Sequence, residues 1–106
     1  MPETLELKTD GWKAYPFTVG DNGGRVTGEY AARGGIADDM RVIIIAENEL
    51  EPFRNKYPFR SYHDTGKTTG GRLNVPLPPG GYYLIIVNPS TWTSRRIRAP
   101  ISLENN

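Results

Sequence analysis

The sequence holds one histidine, His63, inside the run Ser61-Tyr62-His63-Asp64-Thr65. A hydroxyl, an imidazole and a carboxylate are the residue types of acyl-transfer catalysis. Their spacing speaks against that chemistry. Adjacent residues of an extended segment point to opposite sides, so these three cannot relay a proton among themselves. A relay to a distant serine stays open, but no nucleophile-elbow motif supports it. The chain has no cysteine. Disulfides, thiol catalysis and cysteine-based zinc sites are therefore excluded, and a single histidine cannot build a histidine-rich zinc site. Asp38-Asp39, close to Gly34-Gly35, could offer oxygens to Ca²⁺. The EF-hand spacing is absent, and solvated turn acids ahead of a strand are the favoured reading. Paired carboxylates for glycoside hydrolysis cannot be dismissed by counting, yet so short a chain has no cleft-building element. The sequence thus reads as a non-enzyme, with no catalytic residue, metal or cofactor assigned.

Binding chemistry has more to work with. Gly20, Gly23, Gly24 and Gly28 crowd one stretch. No Lys-Ser/Thr follows them and no helix stands ready to cap a phosphate, so they read as a hairpin turn. Arg95, Arg96 and Arg98 could meet an anion; Arg96 and Arg98 share the outward face of an amphipathic strand, where edge charges that deter strand addition explain them as well. Trp12 and Trp92 fall at strand ends or turns. They carry the alternative reading, a carbohydrate-binding module whose exposed aromatics stack on sugar rings. The net charge is +1, too balanced for a long-range field toward nucleic acid or an anionic membrane.

The elements that must position these residues are strands. The chain has 106 residues, 12 Gly and 9 Pro, too many breakers for a helical bundle and enough length for one core. Leu5 and Leu7 alternate with charged residues. Trp12 to Val19 reads as a strand with Pro16 marking an edge. Arg25 to Ala32 alternates, and Asp21-Asn22-Gly23-Gly24 turns into it. Met40 to Ala46 and Tyr82 to Asn88 are apolar on both faces, as central strands are. Leu73, Val75 and Leu77 alternate, as do Ile97, Ala99, Ile101 and Leu103. Residues 47–62 start a helical turn that Pro52 and Pro58 keep short, then form a long connection. Seven or eight short strands with such turn spacing predict one all-β domain over 1–106, a two-sheet antiparallel β-sandwich, jelly-roll-like. The longest apolar run, Val42 to Ala46, is far too short for a membrane span, and residues 1–10 are too polar for a signal peptide.

The run Leu77-Pro78-Pro79-Gly80-Gly81-Tyr82-Tyr83-Leu84-Ile85-Ile86-Val87-Asn88-Pro89-Ser90 resembles a strand pattern of bacterial β-sandwich domains similar to the GOLD (Golgi dynamics) domain. Phe17-Thr18-Val19, Gly23 to Gly28 and Asp39 to Ile45 look like that family's earlier strands. Pro79-Gly80-Gly81-Tyr82 also resembles a tyrosine corner, where a hydroxyl ties a turn to its strand. The resemblance implies a GOLD-like, non-catalytic sandwich of an exported bacterial protein, periplasmic or extracellular. It brings no catalytic residues.

One pattern goes further. Strand 40–46 places Val42 and Ile44 on one side and Ile43 and Ile45 on the other; strand 82–88 places Leu84 and Ile86 opposite Tyr83 and Ile85. If the two are neighbours, an apolar patch faces outward, and leaving it wet costs about 25 cal/mol per Å². The connection 47–62 could cover it through Leu50, Phe53, Tyr57 and Phe59. The functional alternative is a protein partner or a second copy, with Ile43, Ile45, Tyr83 and Ile85 central and Arg96 and Arg98 peripheral. The sequence is therefore read as a non-catalytic protein-interaction module.

Overall fold

The computed structural model describes residues 1, 3–33, 40–91 and 93–106. One sheet holds β1 (Thr4–Leu7), β3 (Gly24–Arg33), β6 (Gly70–Leu77), β8 (Arg95–Arg98) and β9 (Ile101–Asn105). The other holds β2 (Trp12–Val19), β4 (Arg41–Ala46), β5 (His63–Asp64) and β7 (Gly80–Val87). Their orders are β1-β8-β3-β6, with β9 also on β3, and β2-β7-β4-β5. Every pairing is antiparallel. This is the two-sheet antiparallel β-sandwich that the turn spacing predicts.

Two local features raise the strand count to nine. The last alternating stretch is split at Ala99-Pro100 into β8 and β9, because Pro100 has no N–H to give a ladder. The two halves pair with different parts of β3, Ala31–Arg33 for β8 and Gly24–Gly28 for β9. The junction crosses β3 at Gly28. Its φ is +148°, and a Cβ there would stand 2.4 Å from the Pro100 carbonyl oxygen. Only glycine suits that crossing. The second feature is the stretch after Tyr62, read from sequence as turn. It runs along β4 instead: Tyr62 N–H donates to Ile44 O (2.8 Å), Thr65 N–H to Val42 O (3.0 Å), and Met40 bridges Thr68.

Alternation decides what fills the space between the sheets. Leu5, Val26, Leu73, Val75 and Ile97 from one sheet meet Val42, Ile44, Leu84 and Ile86 from the other. The apolar outer faces of β4 and β7 lie side by side, with Ile43 opposite Ile85 and Ile45 opposite Tyr83. A 3₁₀ turn (Glu47–Glu49) and the short helix α1 (Leu50–Arg54) follow β4 directly. Pro52 is tolerated because it lies in the first turn, where its missing N–H is not needed. Leu50, Phe53 and Phe59 pack over Ile43, Ile45 and Ile85, which are all 0% exposed. At roughly 1.5–3 kcal/mol for each fully buried isoleucine, this second core is a substantial share of the stability of so small a domain.

Two polar anchors lock the layers. Tyr82 Oη donates to Pro78 O at 2.6 Å, closing the tyrosine corner over the β6–β7 turn. Burial pushes its hydroxyl pKa up, with Tyr62 adding to the shift, so it stays a neutral donor. Asn88 is wholly buried. Its Nδ2 lies within hydrogen-bond distance of Leu7 O, Lys8 O and Thr93 O (3.0–3.2 Å), and its Oδ1 accepts from Ser90 N–H at 3.1 Å. Asn88 therefore holds the end of β1 to the segment that links β7 and β8.

Candidate binding site

The covered face removes one expected surface. Ile43, Ile45 and Ile85 are sealed under the chain's own 47–62 segment, and Tyr83 is half-buried beside them. As this chain folds, they are core rather than a docking face. The physical reason is proximity: the connection leaves β4 already carrying Leu50 and Phe53, and covers the patch without a partner's association entropy. Arg96 and Arg98 cannot be the rim of that face, because they stand on the outside of the other sheet. Nor do they guard an edge, since β8 lies between β1 and β3. Trp12 is half-buried rather than an open platform. Trp92, and Asp38 and Asp39 with their calcium question, lie outside the described residues.

His63 sits in the two-residue strand β5 opposite Ile44. Asp64 cannot orient its imidazole as a triad carboxylate would. Both its oxygens accept from Arg41, Oδ1 from Nε at 2.8 Å and Oδ2 from Nη2 at 2.5 Å, and Oδ1 also accepts from Gly66 N–H at 2.9 Å. The Arg41 hydrogen bonds hold the Asp64 carboxyl below its ordinary range against the opposing pull of partial burial. Its chemistry is a bidentate ion pair closing the 63–66 turn against β4. Among the described residues, no three His, Asp or Glu side chains gather as a metal would need.

What the covering segment creates is a cleft at its far end. Trp12 meets Phe53 edge-to-face (centroids 5.0 Å apart, 87° between planes), and Phe53 meets Phe59 in the same way (5.3 Å, 78°). These aromatic pairs fix α1 across the sheet. Beside them a cleft of about 350 Å³ opens, lined by the apolar side chains Trp12, Phe53, Tyr57, Phe59 and Val87 together with Asp10, Arg41, Arg54 and Lys56. Tyr57 is 67% exposed, the most exposed large apolar side chain among the described residues. Arg41 is paired with Asp64 and Arg54 with Glu51 at 3.0 Å, whereas Lys56 forms no ion pair among the described residues.

The backbone that presents Lys56 and Tyr57 is unusual. Tyr57 N–H donates to Pro52 O (2.9 Å) and Lys56 N–H to Phe53 O (3.1 Å), the hydrogen-bond pair of a Schellman closure. The residue at its left-handed position is normally glycine. Here it is Lys56, at φ +60°. A side chain kept where glycine costs less is a functional hint. Sequence reading offered Trp12 as a sugar-stacking aromatic and Tyr57 as part of the cover over Ile43 and Ile45; the structure leaves Tyr57 out of that cover and exposed, and Arg41, Arg54 and Lys56 were missed. The available signal was a short helical turn that ends in Arg54-Asn55-Lys56 with no glycine to close it.

No family model and no curated protein sequence matches the chain. A solved structure does: the pre-peptidase C-terminal domain of a collagenase from Bacillus anthracis, 14% identical, with a TM-score of 0.62 over 93% of this chain and 87% of that one. At that identity the likeness establishes a shared β-sandwich fold and nothing about ligands. It does not extend the GOLD-like resemblance beyond the sandwich itself.

Proposed function

We propose that the chain is a non-catalytic recognition module of an exported bacterial protein, and that it grips an extended segment of a protein partner in the cleft at Trp12. The observation that carries this reading is the cleft's composition. Tryptophan, tyrosine and arginine dominate the energetics of protein contacts. Here Trp12, Tyr57, Arg41 and Arg54 meet in one concavity, held by a packed second core. Aromatic-walled grooves suit extended or proline-rich peptides, whose low conformational freedom keeps the cost of ordering small. The sandwich it resembles in shape belongs to a collagenase, which supports an accessory role beside other domains and a place outside the cytoplasm. The sheet face at Ile43, Ile45, Tyr83 and Ile85 has no part in this reading, nor does self-association through it.

The test is a titration of the isotope-labelled chain with defined extended peptides, proline-rich, acidic and basic, followed by backbone amide shifts. Binding in the cleft moves the amides of Trp12, Lys56 and Tyr57 and leaves the β3–β6 ladder unmoved. Shifts centred elsewhere, or no shift with any peptide at millimolar concentration, would reject the reading.

A further inference from the structure

We propose a second site, independent of the cleft: a shallow depression on the outer face of the five-stranded sheet that binds the carboxylates of an acidic, uronate-type polysaccharide. The register builds it. Thr4, Arg98, Ala31 and Gly70 lie in one row across β1, β8, β3 and β6. Ala31 and Gly70 put almost nothing above the backbone, so the row is bare at its centre. Arg98 stands on one side of that floor, Arg33 one row along and Arg72 on the neighbouring strand. The hollow between them, lined also by Glu29, Tyr30, Gly71 and Pro100, has a volume of about 420 Å³, room for a sugar-sized unit.

The charges on this face are arranged against folding. Arg33 lies directly opposite Arg96, and like charges in that position destabilise a sheet. Arg96 is relieved by Glu6 at 3.1 Å, and Arg72 by Glu29 at 3.2 Å. Arg33 and Arg98 have no acid partner among the described residues. The outward residues of this sheet include five arginines (25, 33, 72, 96, 98) and three glutamates (6, 29, 104). That surplus of two positive charges exceeds the net +1 of the whole chain. All five cations are arginine, whose planar fork matches a carboxylate with two parallel hydrogen bonds.

The rest of the face selects the carrier. Its other outward side chains are small or polar, Thr4, Thr27, Asn74 and Ser102, with Pro76. Tyr30 lines the hollow but is itself buried, and no exposed aromatic or branched aliphatic side chain among the described residues stands on this face to anchor a peptide, as protein interfaces favour. Glu29, paired with Arg72, lines the hollow and opposes any polyanion, so recognition rests on Arg33 and Arg98, the two arginines of the hollow without an acid partner among the described residues. A chain of sugars that carries carboxylates among hydroxyls offers the two arginines their fork partners and the small polar side chains their hydrogen bonds.

The probe is polygalacturonate, with dextran sulfate, neutral dextran, single-stranded DNA and sodium acetate as the other arms, measured by calorimetry at low salt. The wild-type chain binds polygalacturonate, and binding weakens as salt rises. Losing one charge-assisted pair at Arg98→Gln weakens it about tenfold, and Arg33→Gln with Arg98→Gln abolishes it. Ala31→Glu, which places a carboxylate at this half-buried outward position, does the same, with circular dichroism confirming that the sheet is still folded. Arg60→Gln, on the 47–62 connection, leaves binding unchanged. The proposal is overturned if polygalacturonate does not bind the folded wild type. It is equally overturned if dextran sulfate or DNA binds more tightly, or if Arg60→Gln weakens binding as much as Arg98→Gln.

Discussion

Replacing Lys56 by glycine makes the domain more stable, although it deletes a side chain. Lys56 occupies the left-handed position of the Schellman closure at φ +60°. A side chain there costs about 1–2 kcal/mol, which glycine does not incur. Glycine in turn loses more freedom on folding, about 0.5–1 kcal/mol. The difference leaves a gain of roughly 0.5–1 kcal/mol for Lys56→Gly, or about 2–8 °C in Tm for a domain of this size. Lys56→Ala separates the two effects. It removes the same charge and keeps the strained backbone, so its stability stays at or slightly below wild type. Calorimetric melts and urea titrations of the three proteins read the order Gly above Lys, with Ala no higher than Lys. If glycine is no more stable than alanine, the left-handed strain is not real. The inference that Lys56 is kept there for its side chain then falls with it.

Three further perturbations probe the framework. Asn88→Ala strips one wholly buried amide from the carbonyls of Leu7, Lys8 and Thr93; unfolding titrations should show a loss of about 2–4 kcal/mol, the cost of buried polar groups left without partners. Phe53→Ala removes the ring that joins Trp12 to Phe59; a loss of about 2 kcal/mol, below the range for a fully buried phenylalanine, should come with new binding of an apolar fluorescent dye at Ile43 and Ile45. Asp64 has a folded pKa depressed below its ordinary value of 3.8 by Arg41. Its contribution is therefore fully present above that value and disappears as the pH falls through the folded pKa. Asp64→Asn should be less stable than wild type at pH 7, by under about 1 kcal/mol for so exposed a pair. The two stabilities should converge toward pH 2.

The sequence made the layers legible because their cause is periodic. Val42, Ile44, Leu84 and Ile86 against Ile43, Ile45 and Ile85 could be sorted by parity alone, and the structure keeps that sorting. Pro16 marked an edge strand, and Tyr82 a corner, because each residue has one local physical consequence. What closed over the outer face was open from sequence, since covering by residues 47–62 and covering by a partner bury the same side chains. The split at Pro100 was missed for a different reason. Ile97, Ala99, Ile101 and Leu103 keep their alternation across it, and only the crossing over Gly28 reveals that two strands share one partner. Arg96 and Arg98 were placed on a wet face correctly, but which sheet that face belongs to depends on long-range pairing with Thr4 to Leu7 and Ala31 to Arg33. The cleft was invisible for the same reason: Trp12 and Tyr57 are 45 positions apart and meet only because α1 lies across β2 and β7.

The central claim is that contact with a partner moves from the buried isoleucine face to the aromatic cleft beside it. The most direct measurement is the affinity of one proline-rich peptide for wild type, Tyr57→Ala and Ile43→Val under the same conditions. Truncating an exposed aromatic anchor should weaken binding at least tenfold, while the conservative change at the sealed position costs some stability and leaves affinity unchanged. Weakened binding in Ile43→Val with full affinity in Tyr57→Ala would show that the covered face opens to its partner, and would contradict the account.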